Sequence, residues 1–220
     1  MRTSHKQFAV IGLGRFGMAI CQELALAGAQ VLAIDIDEEK VKQASAVVSQ
    51  AIVANCTIEE TVEELRLSEY DMVMIAIGDD INASILTALV LKEAKVKTVW
   101  VKANDKFQYK ILQKIGADKI IMPERDMGVR VAQRMLDKRV FEYSALGSGL
   151  AITEIIVGNQ LMGQTLQQIT LLRNDDIQLL AFKRGPTLQT TPPTDQMLQM
   201  GDMLIVAGSE LVLLEQIKSL

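Results

Sequence analysis

KQFAVIGLGRFGMAI, residues 6–20, holds an apolar run, three glycines spaced G-x-G-x-x-G and the start of an amphipathic segment. The run FAVIG predicts a buried strand, and the residues after the glycines have helical spacing. In a strand–turn–helix of this kind, Gly12 permits the tight turn, Gly14 lets the backbone approach a phosphate, and Gly17 lets the helix pack on the strand. The helix N-terminus favours an anion. The stretch therefore predicts a site for nucleotide phosphates.

The pattern around this stretch continues to residue 122 as short apolar runs that alternate with amphipathic segments of helical spacing. Uninterrupted apolar strands that alternate with helices are typical of a parallel sheet covered on both faces. The predicted fold class is therefore α/β, a Rossmann-like, doubly wound parallel sheet of six strands. The predicted strands are FAVIG, VLAID, AIVAN, DMVMIAIG, TVWVKA and KIIMP.

From Pro123 the pattern changes to that of one long crossover helix, predicted over about residues 124–141. Its apolar stripe has a spacing of four residues, and so does a basic stripe that we interpret as a solvated face. We place residues 1–143, with this helix, in a nucleotide-binding domain and residues 144–220 in a small α+β domain. The apolar stripe is Met127, Val131 and Met135, and the basic stripe is Arg130, Arg134 and Lys138.

In the second domain, strands follow strands instead of alternating with helices. GSG at residues 147–149 is interpreted as a linker or loop. The predicted order is then strand AITEIIVG, helix QTLQQITLLR, strand IQLLAFKRG with TLQTTPP as its hairpin partner, strand DMLIVAG and helix SELVLLEQIKSL.

Composition excludes several classes of function. The formal net charge of −4 and the pI of about 5.2 lack the basic footprint of a nucleic-acid binder, so we expect no nucleic-acid partner. No apolar run reaches the roughly 18 residues of a membrane span, and no signal-peptide pattern is present, so we expect a cytoplasmic protein. Cys21 and Cys56 are interpreted as small buried apolar residues. The single histidine, His5, leaves little for a zinc site or a catalytic triad.

An acidic residue follows the glycines at the expected spacing. Asp35 ends the second predicted strand, eighteen residues after Gly17, where a carboxylate can accept hydrogen bonds from ribose hydroxyls. More acids follow it, which disfavours a 2′-phosphate and therefore NADP. We interpret Glu38 and Glu39 as first-turn residues that complement the helix dipole, whereas Asp37 remains a candidate contact.

Two other strand ends are expected to face the ligand, because ligands bind outside the carboxyl ends of parallel strands. One delivers Ala54, Asn55 and Cys56, and the other delivers Ile77 and Gly78. The Asn55 amide either reads an adenine edge or a ribose, or forms an Asx turn that starts the next helix. Gly78 is expected to mark a close approach of backbone to ligand, and Cys56 to line the site passively.

Arg15, between the second and third glycines, adds a permanent cation beside the phosphates. Charge-assisted bonds from a guanidinium suit an anion more highly charged than a dinucleotide diphosphate, such as the terminal phosphates of ATP or ADP. Lys102 and Glu124 are candidates to join it. A carboxylate beside a polyphosphate needs a proton or a cation, so we interpret Glu124 as a divalent-cation ligand. The Glu124 that approaches the phosphates belongs either to the same subunit or to a neighbouring one.

The groups that catalysis requires are sparse. A dehydrogenase needs a proton-transfer group at the nicotinamide and a substrate domain, and no cluster of acids, histidines or tyrosines supplies them. Lys102 and Tyr109 are the remaining candidate acids. We therefore favour a nucleotide-binding switch that is not an enzyme, over an NAD(H)-binding redox sensor or an NAD-dependent oxidoreductase.

Several motifs along the chain are characteristic as a set: FAVIGLGRFG, AIDIDEEKV, VANCT, MIAIGDDINASILTALVLKE, WVKA, KIGADKIIMPERDMGVRVAQ and the C-terminal LR, IQLLAFKRG and GDMLIVAG. This set resembles the RCK (regulator of potassium conductance) family, in particular the KtrA-type regulatory subunits of bacterial potassium uptake, with TrkA-N and TrkA-C domains. The resemblance covers nearly the whole chain, and a single unit here points to the KtrA type.

The resemblance implies a cytosolic regulator, peripheral to the inner face of the membrane. Homodimers that swap the crossover helix would form an octameric ring beneath an integral membrane potassium-translocating subunit of KtrB type. ATP and ADP would compete for the glycine turn, with NAD(H) as a further ligand. Some C-terminal domains of the family bind cyclic di-AMP, but no motif in this sequence indicates that binding. The candidate nucleotide-binding residues are Gly12, Gly14, Arg15, Phe16, Gly17, Asp35, Ile36, Asp37, Asn55, Cys56, Ile77, Gly78, Lys102 and Glu124.

Overall fold

The computed structural model describes residues 6–136 and 140–218, which form two compact units, Met1–Glu124 and Arg125–Leu220. This division groups almost all of the helix after Pro123 with the second unit. The predicted domain boundary after residue 143 stays a prediction.

The first unit alternates strands and helices as predicted. Its strands are β1 (Gln7–Ile11), β2 (Gln30–Asp35), β3 (Gln50–Val53), β4 (Met72–Ile75), β5 (Val99–Lys102) and β6 (Lys119–Ile121). Its helices are α1 (Arg15–Leu26), α2 (Glu38–Ser45), α3 (Glu59–Glu64), α4 (Ile81–Glu93) and α5 (Lys106–Ile115), with a 3-10 turn at Leu67–Glu69.

Aspartate caps start three of these helices. Asp37 accepts backbone N–H bonds at the start of α2, Asp80 accepts one from Ala83 at the start of α4, and Asp105 accepts two at the start of α5. Each carboxylate satisfies N–H groups that have no partner within the helix. Glu38 and Glu39 lie in the first turn of α2, as expected.

The sheet of the first unit is parallel throughout, in the order β3-β2-β1-β4-β5-β6. This doubly wound order confirms the predicted fold class. The winding reverses between β1 and β4, so the connections after these two strands separate and leave a crevice at the carboxyl end of the sheet. Two cores cover the faces: one includes Leu91 of α4 and Leu112 of α5, and the other includes Cys21 of α1 and Val41 of α2.

Helix α6 (Pro123–Leu136) follows β6, and the second unit continues with an antiparallel sheet in the order β10-β9-β11-β8-β7. Its elements are β7 (Val140–Gly147), β8 (Leu150–Ile156), β9 (Ile177–Arg184), β10 (Thr187–Gln189), β11 (Met203–Ser209) and α7 (Glu210–Lys218). The β9–β10 hairpin is confirmed. Buried Phe182, Leu204 and Leu213 belong to a core separate from those of the first unit.

The predicted crossover helix over residues 124–141 is wrong at its C-terminal end. Residues 137–139, including Lys138, lie outside the described residues, and β7 already begins at Val140. VFEYSA is rich in residues that favour strands, and β7 pairs antiparallel with β8, so tertiary pairing overrides the helical spacing.

Of two further expectations in the second unit, the loop at 147–149 is confirmed and the helix at 164–173 is wrong. GSG at 147–149 is a hairpin turn, because Ser148 and Gly149 both have positive φ, 54° and 76°, as a two-residue loop of type I′ requires. The predicted helix QTLQQITLLR consists of two short 3-10 helices, Leu166–Gln168 and Thr170–Arg173. The backbone N–H groups of Leu166 and Gln167 donate to Gln196 and Thr194, which takes them out of a helical ladder.

No helix in the described ranges, 6–136 and 140–218, has the length and apolar character needed to cross a membrane.

Candidate functional site

The glycine turn between β1 and α1 is held by close backbone contacts. Gly12 has φ of +93°, and a Cβ there would lie 2.8 Å from the backbone nitrogen of Ile77. A Cβ at Gly17 would clash with the Gly12 carbonyl oxygen. Gly14 has no atom within 4 Å of its Cβ direction, so it leaves open space at the N-terminus of α1. Gly12 and Gly17 therefore form the turn, and Gly14 keeps its entrance clear.

Asp35 ties this turn to the end of β2. Its Oδ2 accepts the Leu13 N–H at 2.6 Å and its Oδ1 accepts the Asp37 N–H at 2.9 Å, while the Lys40 ammonium lies 4.0 Å away. A carboxylate offers about four acceptor positions, so both oxygens can still accept a ribose hydroxyl. Asp35 thus fixes the turn and presents a negative charge to the space beside it.

That space is a cavity of about 200 Å³ at the reversal point of the sheet. It brings together the ends of β1, β2, β3 and β4. Its lining includes these residues from the predicted set: Gly12, Gly14, Asp35, Ile36, Asn55, Cys56, Ile77 and Gly78. Ala54, at the same strand end as Asn55, also lines it, and the lining residues that sequence reasoning did not assign to the site are Ile11, Lys40, Thr57, Ala76, Asp79, Asp80, Ala83 and Thr87.

Some of these additional residues had a signal in the sequence. Asp79 and Asp80 directly follow the strand end that delivers Gly78, and Asp80 is a recognisable helix cap. Thr87, in the middle of α4, has no local signal, because only packing decides which side of a buried helix faces a cavity.

Asn55 forms the Asx turn that was one of its two predicted roles. Its Oδ1 accepts the Thr57 N–H at 3.1 Å and the Thr57 hydroxyl at 2.8 Å. Because Asn55 also lines the cavity, its side-chain NH₂ is still suited to donate to a ligand.

Cys56 is a buried thiol, 3% exposed, in the cavity wall. Burial raises its pKa to about 12, so it stays protonated near neutral pH and is a poor nucleophile. Cys21 is also buried. Both positions confirm the interpretation of the cysteines as small apolar residues.

Lys102 and Glu124 form an ion pair near the glycine turn. The Lys102 Nζ lies 2.6 Å from Glu124 Oε1, and a Cβ on Gly78 would come within 3.2 Å of the same Nζ. The hydrogen bond from Lys102 lowers the pKa of Glu124 below its ordinary value, and the charge of Arg15 lowers it further. The two cations and the carboxylate are thus electrostatically connected beside the cavity, although none of them lines it.

The remaining predicted residues lie around the cavity rather than in its wall. Phe16 packs with Ile20 and Leu24 in the core on the α1 face of the sheet, and Gly17 lies against the Gly12 carbonyl. The Asp37 Oδ1 accepts hydrogen bonds from the backbone N–H groups of Glu39 and Lys40. Within the described part of the chain, no group of three or more His, Cys, Asp or Glu could hold a metal ion, so Glu124 belongs to no such group there.

Comparison with known proteins decides the family. The TrkA-N domain matches residues 8–123, more than half of the chain. The chain is 61% identical, over the full length of both chains, to Ktr system potassium uptake protein A of Vibrio alginolyticus. It belongs to the TrkA-N family and is a KtrA-type subunit.

Other relatives of this TrkA-N chain agree. Ktr system potassium uptake protein C of Bacillus subtilis (strain 168) is 42% identical over 93% of this chain and 92% of its own. Among solved structures, the GsuK RCK domain superposes with a TM-score of 0.54 at 17% identity, covering 98% of this chain and 47% of that one. The GsuK channel bound to NAD gives a TM-score of 0.53 at 19% identity, covering 98% and 39%. These structures show that the fold is that of RCK domains.

Proposed function

We propose that this chain is the cytosolic nucleotide-sensing subunit of a potassium uptake system, and that exchange of ATP for ADP at the glycine-turn cavity gates an integral membrane potassium-translocating partner of KtrB type. The observation that carries the proposal is the cavity itself. It joins an unobstructed helix N-terminus at Gly14 to a carboxylate at Asp35, the arrangement that takes phosphates at one end and a ribose beside them. The full-length similarity to Ktr subunits supports the potassium-uptake role.

The charges beside the turn favour a polyphosphate as the informative ligand. Arg15 begins α1, and the buried Lys102 reaches Gly78 at the cavity edge. A terminal phosphate between these cations would compete with Glu124 for Lys102, or would share a divalent cation with Glu124. ADP is one phosphate shorter and makes fewer of these contacts. Such a difference in contacts between two ligands is what shifts a conformational equilibrium.

The site is better suited to sensing than to chemistry. Lys102 is occupied by Glu124, the Cys56 thiol is protonated, and the described lining residues include no histidine or tyrosine that could transfer a proton. NAD(H) stays the second candidate ligand, because solved structures of GsuK include one bound to NAD and one bound to ADP.

Two unpartnered apolar surfaces support a homodimer as the building block of a ring. An apolar cavity of about 300 Å³ lies on the α1 face of the first unit's sheet, with Phe16, Trp100 and Ile121 in its wall. On α6, Met127 and Val131 are about half exposed and Met135 is 79% exposed. Because burying such side chains is favourable, we propose that α6 of a second copy covers this cavity and that these dimers assemble into an octamer.

A binding experiment tests the nucleotide proposal. The purified full-length chain is titrated with ATP, ADP, NADH and NAD by calorimetry, while light scattering follows its mass. We expect ATP and ADP to bind at one shared site on an oligomer. A chain that binds none of these nucleotides would overturn the proposal, and turnover of NADH with a small substrate would favour the oxidoreductase.

A glycine pair supplies the control for where the nucleotide binds. Gly14→Val places a side chain in front of α1, and its Cβ would meet no atom within 4 Å, so it should abolish binding while thermal unfolding stays near wild type. Gly158→Val, at a second glycine with no atom within 4 Å, should change neither binding nor stability. Equal affinities for both variants would place the nucleotide elsewhere.

A further inference from the structure

Thr87 is an exception among the buried polar side chains of the first unit. It is fully buried on α4, and its Oγ1 has no hydrogen-bond partner among the described residues. A threonine in a helix commonly donates to the carbonyl four residues earlier, but Thr87 does not. The nearby buried polar groups are paired: Gln108 Nε2 donates to Ser84 Oγ at 3.2 Å, and Gln108 Oε1 accepts the Asn104 N–H at 2.8 Å. The unpaired hydroxyl is therefore specific to Thr87.

An unpaired buried hydroxyl lowers stability, because the group loses its bonds to water and gains none in return. Valine has nearly the same shape and would fill the position without that cost. Buried polar groups without partners call for an explanation, and a ligand that completes the hydrogen bond is one. Thr87 is one of the residues that line the glycine-turn cavity, and its hydroxyl is covered in the free protein, so a ligand must displace part of the cavity wall to reach it.

The order of groups along the cavity indicates which part of a nucleotide lies near Thr87. The glycine turn suits the phosphates, and Asp35 at the end of β2 suits the ribose. What remains is the part lined by Ala54 and Cys56 after β3 and by Ala83 and Thr87 on α4. These four residues present mainly apolar surface, with Asn55 and Thr57 beside them in the lining, as expected for a slot that takes a flat base and reads its polar edge.

We propose that the Thr87 hydroxyl hydrogen-bonds to the edge of the nucleobase and sets the base preference of the site. A hydroxyl both donates and accepts, so it complements the edge of adenine, which carries ring nitrogens and an exocyclic amine. This inference rests on the proposed function, since it requires a nucleotide in the cavity. It assigns to α4 a role in specificity separate from that of the cations that face the phosphates.

The test compares Thr87→Val, which removes only the hydroxyl, with Thr87→Ser, which keeps it. Calorimetry on the full chain measures affinity for ATP and for ribose 5-triphosphate, which has no base. We expect Thr87→Val to weaken ATP roughly tenfold and Thr87→Ser to stay within about threefold of wild type. Ribose 5-triphosphate should bind all three proteins alike.

Stability separates this role from a structural one. Without nucleotide, Thr87→Val should unfold at the same temperature as wild type or at a higher one, because it removes an unsatisfied group. Unchanged ATP affinity in Thr87→Val, or equal weakening of ATP and ribose 5-triphosphate, would overturn the inference while the proposed function stands. If the wild-type chain binds no nucleotide, the proposed function fails first, and this inference fails with it.

Discussion

The two units each contain a buried charged residue paired with an opposite charge, but the buried partner differs. In the first unit the cation Lys102 is buried and the side chain of its acid, Glu124, is 68% exposed, with one hydrogen bond between them. In the second unit the acid Asp202 is buried, and Arg184 binds it through two nitrogens at 2.8 and 2.6 Å. The Gln199 N–H adds a third bond at 2.7 Å.

We infer from this difference that the Arg184–Asp202 ion pair is structural, whereas in the Lys102–Glu124 pair a ligand can take the place of the acid. Asp202 is only 2% exposed and accepts three hydrogen bonds from two segments, so its pair fixes the chain before β11. Lys102 has an exposed partner and lies at the edge of a cavity, so under the proposed function an incoming phosphate would replace Glu124 with little loss of stability. Four experiments test this contrast, from the largest expected effect to the smallest.

Asp202→Asn should give the largest change. It leaves Arg184 without its carboxylate and should lower the free energy of unfolding of the second unit by about 2 to 3 kcal/mol. The single tryptophan, Trp100, lies in the first unit, so its fluorescence follows that unit while circular dichroism follows both. We expect an earlier urea transition by circular dichroism and an unchanged one by fluorescence. Asp195→Asn, at an exposed acid, is the control, and an equal effect of the two variants would contradict a structural role for Asp202.

Lys102→Met should behave in the opposite way. No charge is left buried, because Glu124 is exposed, so the urea transition of Trp100 should not move to lower concentration. ATP affinity should fall about tenfold through the loss of a charge-assisted bond. Calorimetry measures this loss, with Lys106→Met on the exposed start of α5 as the control. A destabilised protein that keeps its ATP affinity would make Lys102 a structural residue like Asp202.

Arg15→Ala should alter the choice between nucleotides more than stability. If Arg15 contacts the terminal phosphate, the ratio of ATP to ADP affinity should fall by roughly three- to tenfold. Competition between the two nucleotides measures the ratio directly. Arg66→Ala, at an exposed arginine after α3, should leave it unchanged. Equal loss of ATP and ADP in Arg15→Ala would show that Arg15 does not distinguish them.

Lowering the pH should destabilise the second unit through protonation of Asp202. Burial alone would raise the pKa of Asp202, but hydrogen bonds from Arg184 and Gln199 outweigh it and lower the pKa below its ordinary value of 3.8. A lowered pKa contributes stability that is complete above the ordinary value and is lost as the pH falls through the folded value. We therefore expect the second unit of the wild type to lose stability below about pH 4, and Asp202→Asn to lose less. Parallel pH profiles would contradict this assignment.

Much of the fold follows from local sequence, and the exceptions have local reasons. The alternation of apolar runs with amphipathic segments predicted all six parallel strands. The second unit was harder, because the segment after α6 satisfies helical spacing as well as strand propensity. Pairing with β8 makes β7 a strand. In residues 164–173, backbone hydrogen bonds to the carbonyls of Thr194 and Gln196 prevent a regular helix.

By itself, the sequence determined the glycine turn and the carboxylate of Asp35, because spacing along one strand–turn–helix fixes the backbone on which both depend. It also placed the ends of β3 and β4 at the same edge, since parallel strands align their carboxyl ends. Only the tertiary structure decided that Lys102 pairs with Glu124 and that Thr87 reaches the cavity. Those contacts join residues far apart in the chain, and packing alone sets the rotation of a buried helix such as α4.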